Sequence, residues 1–315
     1  MAVAFTFPGQ GSQAVGMGKD LADNFPEARA IFQEVDDALG ENLSKLIWEG
    51  PEETLTLTAN AQPALMAVSL AAIKALEVGG LSLKDKVAYV AGHSLGEYSA
   101  LAAAGFVSVA DAARLLRIRG NAMQAAVPAG EGAMAAIIGL EQADVEAACT
   151  EAGQGSGKIC QIANDNGGGQ LVISGAKAAV ELAAKLCTEK GAKRALMLQV
   201  SAPFHSALMA PAANVMRDAL AAVARSAPVV PVISNVSVTP SNDADEITRR
   251  LVEQVTGRVR WRETVEWFGA NGVTALYEVG AGKVLSGLAR RINRDIAISA
   301  VGTAADVEAA LAALS

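Results

Sequence analysis

Short apolar runs bounded by turn residues alternate along most of the chain with longer segments whose apolar positions recur every three to four residues. Runs of the first kind predict strands over 3–7, 87–91, 229–234, 274–279 and 297–301. The longer segments predict helices over 63–78, 95–104, 109–126 and 206–223. Strands separated by helices point to a parallel sheet covered by helices, so the expected fold class is α/β.

The stretch from 128 to 201 follows another order. A strand over 133–140, a helix over 142–152, strands over 158–164 and 170–174, a helix over 177–190 and a strand over 194–200 read β-α-β-β-α-β. That is the ferredoxin-like order, which can close a four-stranded sheet of its own. Pro128, Gly130 and Gly132 mark one edge of it, and Ser201, Ala202 and Pro203 the other. The expectation is a discontinuous large unit, 1–127 and 202–315, with a small unit, 128–201, inserted, and a ligand cleft between the two.

Half of the 315 residues are apolar, enough for a sizeable core. The beginning MAVAFTFPGQ has no basic leader, and no apolar run approaches the ~18 residues of a membrane span, so a cytoplasmic protein away from membranes is expected. A formal net charge of -7 argues against nucleic-acid binding and requires any anionic partner to meet a local basic patch. Cys149, Cys160 and Cys187 lack the close pairing of a metal site or disulfide framework and read as buried or incidental thiols. No metal or cofactor is implied.

Gly92-His93-Ser94-Leu95-Gly96 follows an apolar run and precedes an Ala-rich helical stretch. G-x-S-x-G in that context is a nucleophile elbow, a tight turn that lifts the Ser94 oxygen clear of the backbone next to helix N-terminal amides. A serine needs a base, and the chain holds only two histidines, His93 and His205. The ring of His93 is expected to point away from the exposed side of Ser94. His205, at a strand-to-helix junction beyond the small unit, is free to reach the cleft. Acids between Ser94 and His205 fall mostly on solvent-facing helices, so the group orienting the histidine need not be a carboxylate; a backbone carbonyl can hold the tautomer.

In the helix over 109–126, Ala112, Leu115, Ala122, Met123 and Ala126 form one buried stripe with Arg119 in its middle, while Arg117 and Gln124 fall on the side expected to be solvated. A guanidinium facing a core requires a carboxylate or phosphate partner. That partner is either an internal Asp or Glu or, given a catalytic serine nearby, a substrate carboxylate. The loop Pro8-Gly9-Gln10-Gly11-Ser12 formally matches a dinucleotide fingerprint, but the second strand with its terminal acid is missing. Backbone N–H groups for half of an oxyanion hole are the better reading.

FPGQGSQ at 7–13, GHSLGEYSAL at 92–101, Arg119-Gly120, PFHS at 203–206 and YEVGAGKVLSGL at 277–288 are five ordered motifs that run essentially end to end. Together they resemble the malonyl-CoA:acyl carrier protein transacylases of fatty acid synthesis. The resemblance implies an α/β-hydrolase-like large domain with a ferredoxin-like insert, and a ping-pong malonyltransferase acting on malonyl-CoA and a phosphopantetheinylated acyl carrier protein, with a monomer expected. It makes Ser94 the nucleophile, His205 the base, Arg119 the clamp on the malonyl carboxylate, and the backbone amides of Gln10 and Leu95 the oxyanion hole. The main-chain carbonyl of Gln254 would orient the histidine, although Gly257-Arg258-Val259-Arg260 departs from the Pro-containing version of the family. Asn164 and Asn166 would line the cleft, and Phe204 would crowd the malonyl methylene. A serine hydrolase or thioesterase would share the elbow and base, and Arg119 is what separates it from a transferase of malonyl groups.

Overall fold

The computed structural model of the chain describes residues 2–200 and 202–314. Ser201, one of the boundary residues named above, lies outside the described residues, as do Met1 and Ser315. Among the described residues the strands are β1 (Ala2–Phe7), β2 (Tyr89–Gly92), β3 (Gly132–Ile138), β4 (Cys160–Asp165), β5 (Gln170–Ala176), β6 (Arg194–Met197), β7 (Val232–Ile233), β8 (Pro240–Ser241), β9 (Val259–Arg260), β10 (Val273–Val279) and β11 (Ala297–Val301).

A six-stranded sheet runs in the order β11-β10-β1-β2-β7-β8 and is parallel apart from the edge pair β7/β8. β1 is covered on both faces, with Ala4, Phe5 and Phe7 fully buried, which is why it reads as an unbroken apolar run rather than an alternation. The strand predicted over 229–234 shrinks to β7 because Pro231 has no N–H to give; its carbonyl accepts from the Val90 N–H (3.1 Å) just before pairing begins.

Helix Thr58–Val78 is buried on all sides and packs against helices Pro26–Leu39 and Val109–Ala125. It is apolar and long enough to cross a membrane, but 83% of the relevant window is buried inside the protein, as a core helix requires. Leu65, Met66 and Leu76 are fully enclosed there. Truncating one of them to Ala costs ~2–5 kcal/mol. The helix begins earlier than the predicted 63, so that Pro63 lies inside it.

Helix Val109–Ala125 starts at Ser108, whose side chain accepts the Asp111 N–H (3.0 Å). Gly120 lets it touch helix Thr58–Val78, for a Cβ there would stand 2.6 Å from the Cα of Ala59. Arg117 is not on a solvated face as expected. The 41–60 segment covers it, and its guanidinium donates to Asn60 (2.5 Å) and Glu41 (2.9 Å).

The second sheet runs β6-β3-β5-β4-β9. Its first four strands come from the predicted small unit and pair antiparallel, with helices Gln142–Ser156 and Lys177–Glu189 packed on them over Ala135, Ile137, Val145, Ile173 and Val180. The three thiols lie in this layer, with Cys149 and Cys160 sulfurs 3.6 Å apart. The fifth strand is the correction: β9, from beyond the insert, adds parallel to β4. It is held there by the Arg260 N–H on the Asn235 carbonyl (3.0 Å) and by Arg262 on buried Asp165 (2.8 Å). Helix Gln142–Ser156 also outruns its predicted end, passing Gly153 and Gly155 and stopping at Gly157 with φ 64. β6 ends at Met197, short of the predicted 200.

Candidate active site

β2 ends at Gly92 and helix Leu95–Ala103 begins after only two intervening residues, which forces Ser94 to φ 54, ψ -109. Both elbow glycines are dictated by contact. A Cβ on Gly92 would lie 1.9 Å from the carbonyl carbon of Gly96, and one on Gly96 would lie 2.2 Å from the carbonyl oxygen of Phe7. The Ser94 N–H is already committed, donating to Asn235 Oδ1 (2.8 Å). The Leu95 N–H, in the first helical turn, has no intrahelical acceptor. The loop after β1 lies against this turn: a Cβ on Gly9 would stand 2.7 Å from the His93 carbonyl oxygen, and the Gln10 side chain accepts from Thr58 Oγ1 (2.9 Å).

His205 also has a positive φ, 55, in a turn tied by Ser206 Oγ donating to the Pro203 carbonyl (2.7 Å). Ser94, His205 and Val238 are the non-glycine residues with positive φ among the described residues. Such backbone costs ~1–3 kcal/mol per residue and persists where surrounding structure over-determines it. His205 Nε2 lies 2.7 Å from Ser94 Oγ, while Nδ1 lies 2.9 Å from the Gln254 carbonyl oxygen and 3.1 Å from that of Gly257. Carbonyls only accept, so Nδ1 carries the hydrogen and Nε2 turns its lone pair to the serine. Burial, then the neighbouring Arg119 charge, depress the imidazole to about 3, against the lifting effect of the two carbonyls. The ring is neutral in the resting protein near pH 7.

Arg119 is 1% exposed. Nη1 donates to Gln62 Oε1 (2.7 Å), and Nη2 donates to Gln254 Oε1 (2.8 Å) and to Ser94 Oγ (3.1 Å). Its acceptors are amides and a hydroxyl; the internal Asp or Glu weighed from the sequence forms no ion pair with it among the described residues. Tyr98 presents its ring 5.6 Å from the guanidinium carbon.

A cavity of about 460 Å³ opens over this cluster. Gln10, Ser94, Leu95, Arg119, Asn164, Asn166, Phe204 and His205 line it, and Gln254 sits fully buried behind them. His93 lines it too, but Nε2 is engaged by Asn166 Oδ1 (2.9 Å) rather than by Ser94. The Asn164 Oδ1 is buried and without a hydrogen-bond partner among the described residues.

The sequence reading missed Gln62, Glu97, Asn235 and Gly257. Glu97 is 2% exposed, and burial pushes its carboxyl up to about 7 against bonds from Gln254 and Asn235 and the charges of Arg119 and Arg250. Its one sequence signal is an acid inside GHSLGEYSAL on an Ala-rich helix; Gln62 is likewise a polar residue in an apolar helix. Asn235 and Gly257 carry no local signal.

Residues 4–287 match the acyl transferase domain family, which makes the class an acyltransferase on an α/β fold with parallel strands. The malonyl CoA-acyl carrier protein transacylase of Bacillus subtilis (strain 168) is 47% identical over 312 residues, covering 99% of this chain and 97% of its own. The crystal structure of an acyl-carrier-protein-S-malonyltransferase from Bartonella henselae superposes with a TM-score of 0.98 at 64% identity, covering 100% of this chain and 99% of that one. A malonyl-transacylase solved in complex with its type II PKS acyl-carrier protein gives 0.96 at 44% identity, over 99% and 100%. The chain belongs to the malonyl CoA-acyl carrier protein transacylase family.

Proposed function

We propose that this protein transfers the malonyl group of malonyl-CoA to the phosphopantetheine thiol of an acyl carrier protein through an ester on Ser94. The observation that carries the reading is convergence on one oxygen: His205 Nε2 at 2.7 Å and Arg119 Nη2 at 3.1 Å both meet Ser94 Oγ. A base alone serves any acyl ester, whereas a buried cation beside the nucleophile suits an acyl group that carries its own carboxylate. The names of the relatives support the same substrate pair.

His205 Nε2 takes the Ser94 proton as Oγ attacks the thioester carbonyl, and the Gln10 and Leu95 amides hold the resulting oxyanion. The C–S bond breaks, and coenzyme A leaves as its thiol with the proton from the imidazolium. The carrier thiol then attacks the ester, gives its proton to His205, and Ser94 Oγ leaves with that proton. Arg119 pairs with the malonyl carboxylate throughout. Because the Arg119 charge is one cause of the low basicity of His205, that pairing also strengthens the base once malonyl is bound. Phe204 crowds the malonyl methylene, and Asn164 and Asn166 line the acyl path.

In this reading 1–127 with 202–315 form an α/β-hydrolase-like unit, 128–201 a ferredoxin-like insert, and the protein works as a cytoplasmic monomer. The rival is a serine hydrolase using the same elbow. Incubation with malonyl-CoA and a phosphopantetheinylated carrier separates them: malonyl-carrier should form well ahead of free malonate. Free malonate as the main product, with the carrier unmodified, contradicts the proposal.

A further inference from the structure

Glu97 and Asn235 do not line the cavity, yet the Ser94 turn, Gln254 and, through Gln254, Arg119 are tied to them. Asn235 is fully buried and grips the elbow on both sides of His93: its Oδ1 accepts the Ser94 N–H (2.8 Å) and its Nδ2 donates to the Gly92 carbonyl (2.7 Å). Its own N–H donates to Glu97 Oε2 (3.1 Å). The same carboxylate oxygen accepts from Gln254 Nε2 (2.9 Å), which also donates to the Ser94 carbonyl (2.9 Å). Gln254 Oε1 in turn accepts from Arg119.

A purely local role for Glu97 would look different. Ser94 is the N-cap of helix Leu95–Ala103 and Glu97 its third residue, where a glutamate ordinarily reaches back to the N-cap N–H. That N–H is given to Asn235, and the Glu97 carboxylate is turned across to two other segments of the chain. Burial of a carboxyl is costly unless it is hydrogen-bonded, so its two bonds are what keep it in this position.

We infer that Glu97 and Asn235 are positioning residues for acyl transfer: Asn235 fixes the strained turn at Ser94, and Glu97 fixes Asn235 together with the Gln254 amide that holds Arg119. This rests on Ser94 being the nucleophile. Loading of the serine from malonyl-CoA and from acetyl-CoA, followed by rapid quench and intact mass, tests it in full-length wild type, Asn235→Ala, Glu97→Ala and Glu97→Gln.

Both hydrogen bonds of the Asn235 side chain go to the turn, while its bonds to Glu97 and Arg260 are made by backbone that the exchange keeps, so Asn235→Ala should slow both substrates alike, by about 10- to 100-fold, with KM nearly constant. Glu97→Ala also takes one of its hydrogen bonds from the Gln254 amide, and should therefore lose about a further tenfold for malonyl but not for acetyl. Glu97→Gln keeps an oxygen for both donors and should recover most of the loss. Loading by Asn235→Ala at the wild-type rate overturns the inference, as does a malonyl-to-acetyl ratio in Glu97→Ala equal to that of the wild type. Should Glu97→Ala fail to fold, Asn235→Ala decides alone. A wild type that forms no ester overturns the reading of Ser94 itself, a distinct result seen before any variant is compared.

Discussion

Replacing Arg119 by Ala removes a guanidinium that is almost wholly enclosed and donates three hydrogen bonds. For malonyl-CoA the proposed role predicts the loss of a charge-assisted pair with the substrate carboxylate, ~2–4 kcal/mol, or about 30- to 1000-fold in kcat/KM. Two further effects follow from the geometry. Gln62 Oε1 and Gln254 Oε1 lose a buried donor, which costs ~1–3 kcal/mol each in stability where water does not replace it. Against this, the cation that helps to hold His205 at about 3 is gone, so the imidazole moves back towards its ordinary 6.5. Acetyl-CoA, with no carboxylate to pair, should therefore lose far less than malonyl-CoA. Loading by the variant should also weaken on the acid side at a higher pH than in the wild type, because His205 now protonates there. Measuring kcat/KM for both thioesters between pH 5 and 8 reads both effects. Equal losses for the two substrates would mean that Arg119 serves the fold and not the carboxylate.

Three other outcomes are expected. Between about pH 7 and 4.5 folded Glu97 holds a proton that the unfolded chain does not, so its contribution to stability grows as pH falls, while depressed His205 loses stability from about 6.5 down to 3. The two offset each other in the wild type, and urea titrations should find Glu97→Gln falling behind by ~3 kcal/mol between pH 7 and 4.5; parallel curves would refute the assignment. Phe204→Ser should narrow the preference for malonyl over methylmalonyl by about 10- to 100-fold, ~1–3 kcal/mol, and an unchanged ratio removes Phe204 from substrate selection. The basic clusters Lys190, Lys193, Arg194 and Arg290, Arg291, Arg294 each send one member to the same glycine turn, since the Lys193 chain lies over Gly139, Gly139 adjoins Gly169, and Arg291 lies over Gly168. Reversing their charges should raise the carrier KM and flatten its salt dependence while loading from coenzyme A persists; wild-type values would mean that the carrier docks elsewhere.

What was legible in the sequence is what local sterics and periodicity dictate. The elbow glycines announce themselves because contacts of 1.9 and 2.2 Å exclude any side chain, and Arg119 is visible as a cation on an apolar helical stripe. The parallel α/β layout follows from β1 and β10, apolar runs that a doubly covered sheet requires. What stayed hidden is long-range and polar. The acceptors of Arg119 are glutamines 57 and 135 positions away, and an amide acceptor leaves no charge pattern to find. β9 is two residues long and owes its place to Asn235 and Asp165 rather than to its own composition. Arg117 misled for a related reason: helical periodicity identifies the face opposite the core, but not the 41–60 segment that returns to cover it.

The central claim is a covalent malonyl ester on Ser94, and intact-protein mass spectrometry after exposure to malonyl-CoA tests it most directly. The wild type should gain one malonyl mass, lost again when a phosphopantetheinylated carrier is added. Ser94→Ala, whose exchange removes one hydroxyl from an elbow held by backbone and Asn235 contacts, should stay folded and gain none. A malonyl adduct of unchanged yield in folded Ser94→Ala would contradict the account.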